Sequence, residues 1–244
     1  MIGRLYGVGV GPGDPELITL KAYEVLRIVD VVCAPKARAD RPSRALEVVR
    51  PILHDTGRIQ EVTELIYPMI RDLSVLEAFW ERNSESIVSK LREGKDVAFI
   101  TMGDPMLYST FIYTYRKVRE KLPEAGIEVI PGVTSLTACA AASKLPIAED
   151  DETVALIPST AEMEKVKGLA KHADTLIFMK GVKNLWELSK ALIECGFGES
   201  SIVVMVKGYG TAQENVKFGS LGELHRWNSE DTYLSTLMVK RCTV

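Results

Sequence analysis

The chain has 244 residues, 46% of them apolar and 26% charged, a balance that suits one large or two modest folded domains and not a disordered segment. Its formal net charge of -3 argues against a general nucleic-acid binder, which would carry a basic surplus. No apolar run is long enough to cross a bilayer, and Met1–Tyr6 lacks the charged-then-apolar order of a secretion signal, so a cytoplasmic protein without membrane contact is expected.

In chain order, Arg4–Val10 has the pattern of a buried strand, Leu17–Val29 that of a helix and Val31–Ala34 that of a second short strand. Leu73, Leu76, Trp80, Ile87 and Leu91 recur at helical spacing, interrupted only by Ser84. Asp96–Thr101 reads as a strand and Leu107–Leu122 as a helix. This alternation predicts a mostly parallel sheet covered by helices. The chain turns at Pro123–Gly126, and Ile127–Ile130 opens a new series, with strands at Thr153–Ile157, Thr175–Met179, Ile202–Val206, Glu214–Phe218 and Leu234–Lys240. The last two have little or no helix before them, so the second sheet is expected to be mixed. The predicted fold class is α/β, with two α/β domains at 1–123 and 124–244.

Cys33, Cys139, Cys195 and Cys242 are scattered, with no Cys-x-x-Cys pair, and His54, His172 and His225 lie far apart. Reduced thiols and no metal site are expected.

Three strand-to-helix turns are rich in Gly and Pro. The first, Gly7–Pro15, follows the first strand. A dinucleotide fingerprint would place a third Gly where Pro12 stands, or where Asp14 stands in the alternative register, and no acid closes the second strand to hold a ribose. Glycines there let backbone approach a ligand or a neighbouring strand, and Asp14-Pro15 has the form of a helix start. The second, Met102–Thr110, repeats the Gly-Asp-Pro device at Gly103-Asp104-Pro105, with Asp104 expected to cap the next helix. The third is Pro131–Ser135, where Thr134 or Ser135 is placed to cap a helix of small residues. Each turn alone is explained by local structure. Three together at carboxyl ends of strands point to a ligand site, because open α/β sheets bind ligands there. The remaining motif is basic: Lys36, Arg38, Arg41 and Arg44 fall within Pro35–Arg44 with a single acid, Asp40. It reads either as a solvated loop or as a clamp for carboxylates.

In this order, Gly7–Ala22, Gly103–Pro105 and Pro131–Ser135, supported by Phe178–Gly181 and Gly208–Thr211, resemble the tetrapyrrole methylases, a family of S-adenosylmethionine-dependent enzymes. Gly103–Thr110, Pro35-Lys36 and Met179-Lys180 look like the branch that methylates precorrin-2 at C20. The resemblance implies two α/β domains with a cleft between them in a homodimer, acting in cobalamin biosynthesis on precorrin-2 or cobalt-factor II. By matched position, the implied donor contacts are Pro12, Gly103, Asp104, Leu107, Ser109, Thr110, Thr134, Ser135, Lys180 and Gly210. Asp104 and Tyr108 are the implied catalytic candidates, Asp104 for orienting the donor more than for moving a proton. Lys36, Arg38, Arg41 and Arg44 are candidate clamps for the ring carboxylates. Alternatives are another tetrapyrrole as substrate, a macromolecular substrate of the diphthine or ribosomal-RNA kind, a nicotinamide-dependent oxidoreductase, disfavoured by Pro12 and the missing acid, and a non-catalytic metabolite sensor.

Overall fold

The computed structural model describes residues 1–55, 59–182, 184–227 and 235–241. It divides into two compact units, Met1–Thr134 and Ser135–Val244. The first is built on strands β1 (Leu5–Gly9), β2 (Val31–Lys36), β3 (Glu61–Ile66), β4 (Val97–Thr101) and β5 (Ile127–Ile130), with helices α1 (Leu20–Ile28), α2 (Arg44–Asp55), α3 (Leu73–Arg92) and α4 (Phe111–Lys121). The strand order is β3-β2-β4-β1-β5, and every neighbouring pair is parallel.

The sequence of this sheet shows why both of its faces are covered. Alternate residues feed opposite cores. Tyr6, Val8, Val32, Ala34, Ala98 and Ile100 pack with α1 and α2, while Leu5, Val31, Cys33, Val97 and Phe99 pack with α3 and α4. Gly7 has a local duty in this packing. A Cβ there would lie 2.3 Å from the Phe111 ring, so its absence lets the first turn of α4 settle over β1.

The second unit holds α5 (Ser135–Ser143), β6 (Val154–Pro158), α6 (Met163–Ala170), β7 (Thr175–Met179), α7 (Leu185–Glu194), β8 (Ile202–Lys207), β9 (Asn215–Ser220) and β10 (Ser235–Lys240). The strand order is β6-β7-β10-β8-β9. β6 and β7 are parallel, whereas β10 runs antiparallel to both β7 and β8, and β9 antiparallel to β8. The sheet is mixed, as expected. The predicted last strand began at Leu234, which lies outside the described residues.

Several expectations need correction. Ile127–Ile130 does not open the second unit: it pairs with β1 in the first sheet, which moves the division from 123/124 to 134/135. The helix expected over Leu17–Val29 is broken. Asp14 Oδ1 accepts the Glu16 N–H at 2.9 Å and starts a short 3₁₀ turn, Pro15–Leu17. Ile18 is then extended, and the Thr19 hydroxyl caps α1 by accepting from Ala22 N at 3.2 Å. The helix expected from Leu107 begins only at Phe111, because Tyr108 adopts a left-handed backbone, φ 49°, that no α-helix continues through. β3 and α2 were not anticipated.

Candidate active site

The three Gly-rich turns leave adjacent strands, β4, β1 and β5, at one edge of the first sheet. They are knitted together by backbone. Gly103 N donates to Gly11 O at 2.7 Å, and these two glycines form an isolated β-bridge. A Cβ on Gly132 would lie 2.2 Å from Gly103 O, and one on Gly9 would lie 2.6 Å from Gly132 N. Gly9 and Gly132 are therefore glycines because neighbouring turns fill the space a side chain would need. Gly103 differs. Its φ is +67°, and a Cβ there would meet nothing nearer than Val133 O at 4.0 Å, so its backbone faces open space.

Asp104 locks this arrangement. Its Oδ1 accepts Met106 N at 2.8 Å, and its Oδ2 accepts Gly132 N at 3.1 Å. It does not cap the following helix, as the sequence suggested. It closes its own turn with one oxygen and ties the β4 turn to the β5 turn with the other. Ser109 is also committed to structure: its buried hydroxyl lies 3.0 Å from Thr101 Oγ1 and accepts Phe111 N at 3.1 Å. Thr110 is the residue before α4 and makes no side-chain cap bond. Pro12, Leu107 and Thr134 are half-buried, and Tyr108 is exposed. A non-glycine residue with positive φ is uncommon and is held by its surroundings, so Tyr108 is presented to solvent on a constrained backbone.

The other donor candidates belong to the second unit. Ser135 is the first residue of α5. Lys180 follows β7, and Gly210 lies in the turn after β8. Because β10 is antiparallel to both strands, with Thr236 opposite Met179 and Ser235 opposite Lys207, β7 and β8 end at the same edge. Gly210 (φ 72°) is fixed by donation of its N–H to Glu214 Oε2 at 2.8 Å. Lys180 also has a left-handed backbone, φ 64°. Desolvation lowers its amine below the usual lysine range, yet much of the residue is exposed.

The basic stretch divides in two. Lys36 Nζ lies 2.8 Å from Glu64 Oε2 and 3.3 Å from Ala39 O, and Glu64 Oε1 accepts Ser43 N at 3.2 Å. Lys36 thus closes the loop between β2 and α2. Arg38 pairs with Asp40 through both guanidinium contacts, 2.9 and 3.0 Å. Arg41 and Arg44 are exposed. Sequence reasoning missed Glu64, and it missed the segment after β3, where Met69, Ile70 and Leu73 are exposed. An apolar run in a loop was the available signal. Among the described residues no cluster of three or more His, Cys, Asp or Glu could hold a metal ion, and no helix is long and apolar enough to cross a membrane.

Glycine turns packed at the carboxyl edge of a parallel sheet, with an open backbone face at Gly103, define an α/β protein built to take a small ligand at that edge. Comparison with known proteins narrows this class. The chain belongs to the tetrapyrrole (corrin/porphyrin) methylase family, whose model matches residues 4–225. It is 35% identical over 241 residues to a probable cobalt-precorrin-2 C(20)-methyltransferase of Methanocaldococcus jannaschii, covering 99% of this chain and 97% of that one. It is 30% identical over 249 residues to a precorrin-2 C(20)-methyltransferase of a Sinorhizobium species, covering 98% and 95%. Among solved structures, a cobalt precorrin-4 methyltransferase superposes with a TM-score of 0.77 at 24% identity, covering 97% of this chain and 94% of that one, a likeness of fold.

Proposed function

We propose that this protein transfers a methyl group from S-adenosylmethionine to C20 of precorrin-2 or its cobalt form, in cobalamin biosynthesis. The observation that carries the reading is similarity over nearly the whole chain to relatives named for that reaction. S-adenosylmethionine, when bound, supplies a methyl group already activated on a sulfonium.

The protein's part is to hold and align. The open backbone at Gly103, with Pro12, Leu107 and Thr134 beside it in the first unit, offers donor contacts; Ser135, Lys180 and Gly210 are proposed further ones. Asp104 acts as a positioning residue, since both of its oxygens are spent on N–H groups of the turns themselves. Ser109 ties this turn to β4 and to the start of α4 through Thr101 and Phe111, and Thr110 is proposed as a further donor contact. Tyr108 stands exposed at this edge and is the side chain we assign to the reacting face. Exposed Arg41 and Arg44 are proposed to pair with ring carboxylates, with Arg38 joining if it leaves Asp40, while Lys36 shapes their loop. Alignment of two bound reactants can supply roughly 7–11 kcal/mol of a barrier.

The reading extends to a cytoplasmic homodimer, which sedimentation of the purified protein tests. The function itself is tested by offering precorrin-2 and cobalt-factor II separately, anaerobically, with S-adenosylmethionine. Gain of one methyl group on either ring supports it, and the faster substrate names the natural form. Tight S-adenosylhomocysteine binding with neither ring methylated refutes the substrate assignment.

A further inference from the structure

The strand order places the turns at the carboxyl edge of the first sheet in a definite sequence. The Gly-rich turns follow β5, β1 and β4; the basic stretch follows β2; and the segment Tyr67–Asp72 follows β3, the edge strand. β2 and β3 are parallel with Lys36 opposite Ile66, and Tyr67 N donates to Lys36 O at 2.8 Å. The β3 segment therefore starts alongside the basic stretch. Its character is unusual for a solvated turn. Met69 is 61% exposed, Ile70 43% and Leu73 68%, and Arg71 stands exposed among them. Its base is rigid, because Tyr67 is buried with its hydroxyl 2.5 Å from Thr114 Oγ1, and Asn83 Nδ2 donates to Ile66 O at 2.8 Å.

We infer that Met69, Ile70 and Arg71 form a binding wall for the ring substrate. This rests on the proposed function, in which the substrate is a flat macrocycle with apolar faces and a carboxylate rim. Exposed apolar side chains flanked by Arg71 on one strand end and by Arg41 and Arg44 on the next match both features. β3 lies two strand spacings, about 10 Å, from β4, so the wall stands to one side of Met106 and Tyr108, which are also exposed. On the far side of β4, the turns after β1 and β5 carry no Lys or Arg over residues 10–19 and 131–135, although Leu20 at the start of α1 is 84% exposed. The edge is thereby divided between a donor half and a ring half.

The test uses the full-length protein and two variants, Met69→Ser/Ile70→Ser together and Arg71→Glu. Turnover is followed with precorrin-2, affinity for S-adenosylhomocysteine by calorimetry, and oligomeric state by sedimentation. The expected result is a KM for the ring raised by about tenfold or more in each variant, with S-adenosylhomocysteine affinity unchanged. Raising the salt concentration should shrink the gap between Arg71→Glu and wild type and leave that of the double serine variant in place. An unchanged ring KM in both variants overturns the inference, and loss of a dimer at unchanged KM would assign the surface to a second copy of the chain. If the wild-type protein neither binds nor methylates the ring, the substrate reading has failed and this inference falls with it. A working wild type with indifferent variants sinks the inference alone.

Discussion

Asp104 Oδ2 accepts the backbone N–H of Gly132 at 3.1 Å, joining two turns that leave different strands of the same sheet. With Oδ1 held by Met106 N, the carboxylate is a strut between turns. Replacing Asp104 by Asn keeps one acceptor and turns the other toward an N–H as a second donor. A charge-assisted bond to a carboxylate contributes about 1.5–3 kcal/mol. We expect a loss of stability near the lower end of that range and a clear fall in S-adenosylhomocysteine affinity, with the rate at saturating donor less affected. Calorimetry and steady-state kinetics check this; intact affinity with a collapsed kcat would instead assign Asp104 a chemical role.

Gly132→Ala would force a Cβ to within 2.2 Å of Gly103 O and 2.8 Å of Gly9 C. Backbone on both sides leaves no cheap relief, so a destabilisation of at least about 2 kcal/mol is expected, together with loss of donor binding. Gly168→Ala is the contrast. It lies within α6, nothing stands within 4 Å of its added Cβ, and a gain of about 0.4–1 kcal/mol is expected. Denaturant melts of the two variants decide both.

The Lys36–Glu64 pair gives a pH signature. The Lys36 ammonium hydrogen-bonded to Glu64 is the main influence holding its carboxyl below the usual glutamate range. A carboxyl depressed in the folded state stabilises the protein above its unfolded value, ~4.3, and that contribution is lost as pH falls below it. The pair is partly exposed, with side chains at 13% and 34%, so about 0.5–1 kcal/mol is the expected size. Glu64→Gln should remove that much at pH 7 and progressively less as pH falls through the lowered folded-state value, so less at pH 3 than at pH 7. An equal loss at both values would show that the effect is packing.

Arg41→Glu and Arg44→Glu should each raise the KM for the ring and leave S-adenosylhomocysteine affinity alone, whereas Lys36→Ala should lower stability first. Equal loss of donor affinity in the arginine variants would make the whole stretch structural.

Burial pushes the thiols of Cys33 and Cys139 up to about 12. An alkylating reagent at pH 8 should leave both unmodified in the folded protein and label them once it is unfolded, because the thiolate is the reactive form. Rapid labelling of either in native buffer would contradict their burial.

What was legible in the sequence was local. The buried strands β1, β4 and β7 are short apolar runs, and Gly-Asp-Pro marks a turn wherever it occurs. β3 was missed because Glu61, Thr63 and Glu64 interrupt its apolar residues, as befits a half-exposed edge strand. α2 was missed because Pro51 lies inside it and reads as a breaker. The place of β5 depends on pairing with β1, a partner far away in sequence, so a loop at 123–126 looked like a domain boundary. The candidate site shows the same limit. The residue types at its turns were visible, but the roles of Asp104, Ser109 and Lys36 depend on Gly132, Thr101 and Glu64, which no local pattern names.

The most direct test of the central claim is to run the reaction with S-adenosylmethionine carrying carbon-13 in its methyl group and to locate the label in the ring product by nuclear magnetic resonance. A single enriched methyl on the meso carbon C20 is expected. Label at any other ring carbon, or none on the ring while S-adenosylhomocysteine still binds, would contradict it.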